Sequence, residues 1–157
     1  MKLHICAVGR MRAIDAERAI FDDYVTRFNR TARPLGLGPL TEHEVEDRKG
    51  GGMAAEAELL ARAIPPSALM VTMDERGNVL SSPEFGAQLE KWQGEGRQDL
   101  AFVIGGADGI APSLRARADA SLSFGRMVWP HMLVRVMLAE QLYRAATILS
   151  GGPYHRA

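Results

Sequence analysis

Residues 125–157 read GRMVWPHMLVRVMLAEQLYRAATILSGGPYHRA, and no other stretch constrains the fold as strongly. From His131 to Leu149 apolar side chains fall on every side of a helix-length run, interrupted by Arg135, Glu140 and Arg144. A helix that is apolar all round has to be covered all round, and a 157-residue chain has little protein to spare for that. The run is therefore expected to pack on the chain's own sheet and on a second copy of itself. Beyond it, Tyr154, His155 and Arg156 offer a stacking ring, a titratable imidazole and a guanidinium in succession. Such a set suits RNA, with Arg for phosphate and Tyr or His for an unstacked base. A disordered terminus is the competing reading.

Working outward, strands and helices alternate. Lys2 to Val8 reads as a first strand ended by Gly9, and Ile14 to Arg30 as an amphipathic helix with Ile14, Ala19, Ile20, Tyr24, Val25 and Phe28 on its apolar stripe. Leu40 to Val45 carries enough acid to suit an edge strand. Met53 to Ile64 is an alanine-rich helix closed by Pro65-Pro66. Ala68 to Met73 and Asp99 to Ile104 are continuous apolar strands of the kind buried on both faces in a parallel sheet. Residues 74–78 are expected to turn the chain, and Ser81 or Ser82 to cap a helix that has Pro83 and Glu84 in its first turn. Residues 112–120 look helical, Leu122 to Val128 forms a last strand, and Pro130 opens the final helix. With no repeat and no linker, the pattern predicts one α/β domain over residues 1–157, built on a mostly parallel sheet flanked by helices.

Composition narrows the class. Lys plus Arg and Asp plus Glu number 19 each, so the chain is not a globally basic nucleic-acid binder. Charge is nevertheless unevenly spread. From Ala111 onward, Arg115, Arg117, Arg126, Arg135, Arg144 and Arg156 face only Asp119 and Glu140, whereas Glu42, Glu44, Glu46 and Asp47 form an acidic cluster earlier. A basic C-terminal third can attract phosphate locally. No segment reaches the roughly 20 apolar residues of a membrane span, and the start is not that of a signal peptide. The single cysteine, Cys6, lies in an apolar strand and is expected to be inert. The expected compartment is the cytoplasm. Four histidines and one cysteine show no metal-ligand spacing, and no serine-nucleophile elbow is present.

Three segments concentrate the chemistry. Phe102 to Ile110, FVIGGADGI, is a strand running into glycines, which let backbone amides approach a ligand at the carboxyl edge of a sheet. A tight strand–helix turn explains the same glycines. Asp74, at the end of the preceding core strand, can accept a hydrogen bond from a ligand or simply begin a turn. Phe124 to His131 sets a glycine, a cation and two aromatic rings just before the long helix, a place where backbone groups and apolar walls can hold a flat heteroaromatic ligand. On that helix Glu140 and Arg144 stand four apart in the favourable order.

The segments MKLHICAVG, VTMDERGNVLSSPEF, FVIGGADG, LSFGRMVWPHMLVRVMLAEQLYRA and PYHR occur in order across essentially the whole chain. In that combination the chain resembles the small bacterial SPOUT-class methyltransferases that modify N3 of a pseudouridine in 23S ribosomal RNA. The resemblance implies a C-terminal trefoil knot, an exception to the rule against knotted connections. It further implies a homodimer, S-adenosylmethionine as cofactor, and 23S rRNA in the large subunit or assembled ribosome as partner. Carried over by position, the cofactor would meet Met73, Gly105, Phe124, Gly125, Arg126, Met127, Val128 and Trp129. Arg135, Arg144, Tyr154, His155 and Arg156 would face substrate RNA, with His155 and Arg156 nearest the chemistry. His155 is a candidate general base for the N3 proton, since an imidazole has an ordinary pKa of about 6.5; solvent and Asp74 are alternatives. A non-catalytic dimeric nucleotide-binding module and a knotted methyltransferase of transfer RNA are the competing functions.

Overall fold

The computed structural model describes residues 1–156. Five parallel strands form one sheet in the order β2-β1-β4-β3-β5, made of β1 (Lys2–Val8), β2 (Leu40–Val45), β3 (Leu69–Val79), β4 (Asp99–Ile104) and β5 (Ala120–Ser123). Five helices connect or follow them: α1 (Ala16–Ala32), α2 (Gly52–Ala63), α3 (Ser82–Gly94), α4 (Pro112–Ala116) and α5 (His131–Ser150).

Alternation along the central strands divides the core into two layers. Leu3, Ile5, Leu100, Phe102 and Val71 face one side, where they pack with Phe21 and Phe28 of α1, Leu89 and Trp92 of α3, and Leu138 and Leu142 of α5. Cys6, Val8, Ala101 and Val103 face the other, against Leu60 of α2 and Leu114 of α4. Burial pushes the Cys6 thiol up to about 12, so it is an inert core residue. β2 lies at a sheet edge, as its acidic pattern predicts, and α3 begins with a capping box. The Ser81 hydroxyl accepts from the Glu84 amide at 3.3 Å while the Glu84 carboxylate accepts from the Ser81 amide at 2.7 Å.

Four local expectations are corrected. The turn expected over 74–78 is instead the second half of β3, which shifts register between Met73 and Asn78 and pairs again with Leu122 and Ser123. Gly77 makes this possible, because a Cβ there would stand 2.7 Å from the backbone of Leu122. The last strand ends at Ser123 rather than Val128, leaving 124–130 free to form a wall at the sheet edge. α4 stops at Ala116 because Asp119 hooks the chain into the sheet: its carboxylate accepts from the Met70 amide and its own amide donates to Met70, both at 2.8 Å. Finally, α1 starts at Ala16, with Ile14 and Ile20 exposed while Phe21 and Phe28 supply the core contacts.

α5 lies across α1 and α3, burying Leu138, Leu142, Ala145 and Ala146. Gly86 of α3 brings the two backbones close at Ala145. At its other end Leu133 is exposed, as are Met127, Val128 and Trp129 in the segment that leads into the helix. No described helix is long and apolar enough to cross a membrane, and the described residues contain no group of side chains placed to hold a metal ion.

Candidate functional site

Because all five strands run the same way, their carboxyl ends share one edge, where open α/β sheets bind ligands. A cleft of about 640 Å³ opens there, between the ends of β3, β4 and β5 and the first turn of α5. Its floor is the strand-to-glycine junction. Gly105 is buried, and a Cβ on it would stand 2.6 Å from the Gly109 carbonyl group, so only glycine lets the loop close on itself. The loop is pinched by a bridge between Gly106 and Gly109. Opposite it, the buried Ser123 hydroxyl accepts from the Gly125 amide at 3.0 Å and donates to the Gly125 carbonyl at 2.8 Å. That clamp sets the path of residues 124–130.

Met73, Gly105, Phe124, Gly125, Met127, Val128 and Trp129 all line this cleft; Arg126, expected among them, is exposed outside its lining. Leu122, Ser123, His131 and Val134 also line it. His131 ends the glycine-aromatic run that the sequence marks, and it stands in the first helical turn directly after the wall. Leu122 and Ser123 carry no such mark, since their place depends on the re-pairing of β3.

The electrostatics of the rim assign roles. Both carboxylate oxygens of Asp74 are occupied by Arg76, which donates through its amide at 2.9 Å, Nε at 2.9 Å and Nη2 at 3.0 Å. The Arg76 hydrogen bonds hold the Asp74 carboxyl below the usual carboxylate range. A carboxylate so occupied is a poor proton acceptor, and Asp74 serves the rim as Arg76's anchor. Behind the glycine loop Glu56 stands against Gly106, and its carboxyl is pushed up first by burial and then by Asp108 and Asp47.

Arg135, expected at an RNA surface, is fully buried. Its Nη1 donates to Glu42 at 2.9 Å and Glu44 at 2.7 Å, and its Nη2 to the carbonyls of Val8 at 3.3 Å and Gly9 at 3.1 Å. The cation is used up in tying α5 to the end of β1 and to the edge strand, and no phosphate can reach it. Two of the acidic cluster's four carboxylates are thereby explained as internal partners of Arg135 and Arg18.

The described part of the tail folds back on the helix. After Gly151 the chain turns back, with the Gly152 amide donating to Thr147 at 2.8 Å, and lies along α5. Glu140 Oε1 accepts from Arg144 Nε at 3.0 Å and Nη2 at 2.5 Å and from the Tyr154 hydroxyl at 3.0 Å. The Tyr154 ring packs 4.6 Å from that of Tyr143, centre to centre. None of Tyr154, His155 and Arg156 lines the cleft. Glu140 and Arg144 stand nine and thirteen residues beyond His131 on α5, which at 1.5 Å per residue is about 14 and 20 Å along the helix. The structure thus gathers all the expected cofactor residues but Arg126 in the cleft, brings Arg144, Tyr154 and His155 together along α5, and sets Arg135 apart from both.

Comparison with known proteins agrees with this architecture. The family model described as "Predicted SPOUT methyltransferase" matches residues 1–155. A protein of Ruegeria sp. (strain TM1040) named "Ribosomal RNA large subunit methyltransferase H" is 65% identical over 156 residues, 99% of each chain. One of the same name from Cereibacter sphaeroides (strain ATCC 17025) is 67% identical over the same share. Among solved structures, a probable methylase family protein from Haemophilus influenzae Rd KW20 shares the fold at a TM-score of 0.53 and 11% identity, covering 99% of this chain and 70% of its own. With a five-stranded parallel sheet, a ligand-sized cleft at its carboxyl edge and a family match over residues 1–155, this chain belongs to the SPOUT methyltransferase family.

Proposed function

We propose that the chain transfers a methyl group from S-adenosylmethionine to N3 of a pseudouridine in 23S rRNA, acting as a homodimer in the cytoplasm on the large subunit or the assembled ribosome. The observation that carries this reading is the cleft at the ends of β3, β4 and β5, where seven of the eight residues expected to meet the cofactor converge. The residues present fit that group. Gly105 lets the loop fold tightly at the floor of the cleft, the Ser123 clamp on Gly125 fixes the course of the opposite wall, and Met127, Val128 and Trp129 provide apolar surface for a flat base.

When bound, the cofactor supplies an electrophilic methyl on a sulfonium. What the protein contributes is alignment and exclusion of water. The glycine loop and the clamped 124–130 wall hold the donor from two sides, and a well-oriented pair reacts as though at very high local concentration. Groups for the acceptor nucleotide come from the tail. As the tail packs against α5 about two and a half to three and a half helical turns from the cleft of its own chain, the second copy is the natural source of Tyr154, His155 and Arg156 at each site. The exposed apolar residues Met127, Val128, Trp129 and Leu133 suit the seam between copies. A C-terminal trefoil knot belongs to the same reading, supported by family membership.

The chain's balanced charge favours recognition of a composite ribosomal surface over avid binding of bare RNA. Mass mapping of 23S rRNA and transfer RNA from a strain lacking the gene tests the reading. One methyl missing from a 23S pseudouridine and restored by the purified protein supports it; a methyl missing from transfer RNA alone refutes it.

A further inference from the structure

The contact between Arg144 and His155 fixes which ring nitrogen carries a proton. Arg144 Nη1 lies 3.3 Å from His155 Nδ1. A guanidinium has donors and no acceptor, so Nδ1 must present its lone pair to it. Neutral imidazole that accepts at one nitrogen carries its hydrogen on the other. The hydrogen of neutral His155 is therefore on Nε2, which has no hydrogen-bond partner among the described residues and belongs to a half-buried side chain.

Nor is the guanidinium free to turn. Its Nε and Nη2 hold Glu140 Oε1, and its carbon lies 4.8 Å from the centre of the Tyr154 ring, whose hydroxyl donates to the same carboxylate oxygen. Glu140 Oε2 accepts from Gln141 Nε2 at 2.8 Å, and Gln141 Oε1 accepts from the Ser82 hydroxyl at 2.7 Å. The start of α3, the middle of α5 and the tail are joined in one network, with His155 at its end.

We propose that Arg144 is a positioning residue that keeps His155 as an Nε2–H donor, and that this donor recognises a carbonyl oxygen of a uracil-type base beside the nitrogen to be methylated. The proposal rests on the reading that the tail meets the acceptor nucleotide. N3 of such a base is flanked by two carbonyls. Its proton leaves to solvent water or hydroxide, and the electron pair left behind spreads onto those oxygens. A donor aimed at one of them stabilises the anion more than the neutral base. The pair then forms the N3–CH₃ bond as the carbon–sulfur bond breaks and its electrons return to sulfur. In this arrangement His155 does not remove the proton, because its outward nitrogen has no free lone pair. A cytosine-type base, with an amino group in place of that carbonyl, would meet donor with donor and be rejected.

The test uses the full-length protein in two arms. Long-range proton–nitrogen correlation spectra are recorded about two units above the ordinary imidazole pKa of about 6.5. His155 is expected with a protonated Nε2 and a bare Nδ1. Arg144→Met is expected to release it into a mixture of tautomers and Arg144→Lys to retain it. A protonated Nδ1 in the wild type, or a tautomer untouched by Arg144→Met, overturns the proposal. In the second arm, ribosomes lacking the methyl are the substrate. His155→Gln, which keeps an N–H donor, should stay within about tenfold of wild-type kcat, while His155→Phe should fall about a hundredfold or more. Equal losses in both variants overturn the donor role. No transfer by the wild type would overturn the methyltransferase reading, and the recognition of the base with it, while the first arm still decides the tautomer.

Discussion

Arg135 Nη1 donates to the Glu42 carboxylate at 2.9 Å across ninety-three positions of sequence, and the arginine side chain has no exposure to solvent. The pair ties the first third of α5 to the edge strand. Breaking a buried pair from one side leaves an uncompensated charge and commonly costs 3–5 kcal/mol. Glu42 keeps a second partner in Arg18, which donates to it at 2.9 Å and 3.3 Å, so the lower end of that range applies. Arg135→Met is expected to lower stability by about 3 kcal/mol, read from the urea midpoint. At temperatures where the variant is folded, the salt dependence of its ribosome binding should match the wild type. A stable variant with a shallower salt slope would return Arg135 to the RNA surface.

Gly105→Ala tests the floor of the cleft. The new Cβ would stand 2.6 Å from the Gly109 carbonyl group, a backbone contact that no rotamer change relieves, so the loop has to open. Calorimetric affinity for S-adenosylmethionine or its demethylated product should fall at least tenfold, with Asp119 still hooking α4 to the sheet and the far-ultraviolet spectrum unchanged. Unaltered affinity would place the cofactor elsewhere than against this loop.

The Asp74–Arg76 pair predicts a particular pH dependence. Asp74 has its folded pKa lowered, chiefly by the Arg76 hydrogen bonds. Such a group contributes stability that is fully present above its unfolded pKa of about 3.9 and is lost as pH falls through the lower folded value. The partner arginine is well exposed, so solvent keeps the contribution modest. In paired denaturation series, the gap between wild type and Asp74→Asn should be flat from about pH 5 to 8 and should close only below about pH 4. A gap that instead widens on acidification would show that the Asp74 pKa is raised in the fold, which would make its carboxylate the better proton acceptor.

These residues also show how far the chain's pattern could be read without coordinates. β1, β2 and β4 are legible because each is a short apolar or alternating run bounded by turn residues, and local pattern decides such strands. The first half of β3 is legible for the same reason, but its second half is not, since DERGNV has the composition of a turn and becomes strand only because Gly77 lets β5 approach. On α1 the expected stripe holds at Tyr24, Val25 and Phe28, but isoleucine at 14 and 20, which looks like core by hydropathy, is exposed, and Phe21, outside that stripe, fills the space beside the sheet. Gly105 and residues 124–129 carry local signals, a strand running into glycines and a glycine-aromatic run before the long helix, whereas contact at Met73 follows from the resemblance alone. Arg135 was misjudged for the reason that makes it structural: its carboxylate partners are more than ninety residues away, and helix spacing says nothing about them.

The seam between copies gives the last prediction. Leu133 is 39% exposed on the first turn of α5, outside the cleft lining and a few residues along the chain from the exposed Met127, Val128 and Trp129. In an isolated chain a lysine there would sit in solvent and leave the fold intact. In a dimer that buries this patch it would lose the roughly 1.5–3 kcal/mol of a covered leucine and add a charge to desolvate. Since 1.4 kcal/mol is tenfold in affinity, Leu133→Lys should weaken self-association by at least about tenfold in sedimentation equilibrium. Activity should fall with the dimer, because each cleft then lacks its partner's tail, while cofactor binding falls much less. Mixing a Gly105→Ala chain with a His155→Phe chain should restore transfer in the hybrid, which holds one intact cleft facing one intact tail. A monomeric wild type, or a hybrid as inactive as its parents, would show instead that each chain must bring its own tail to its own cleft.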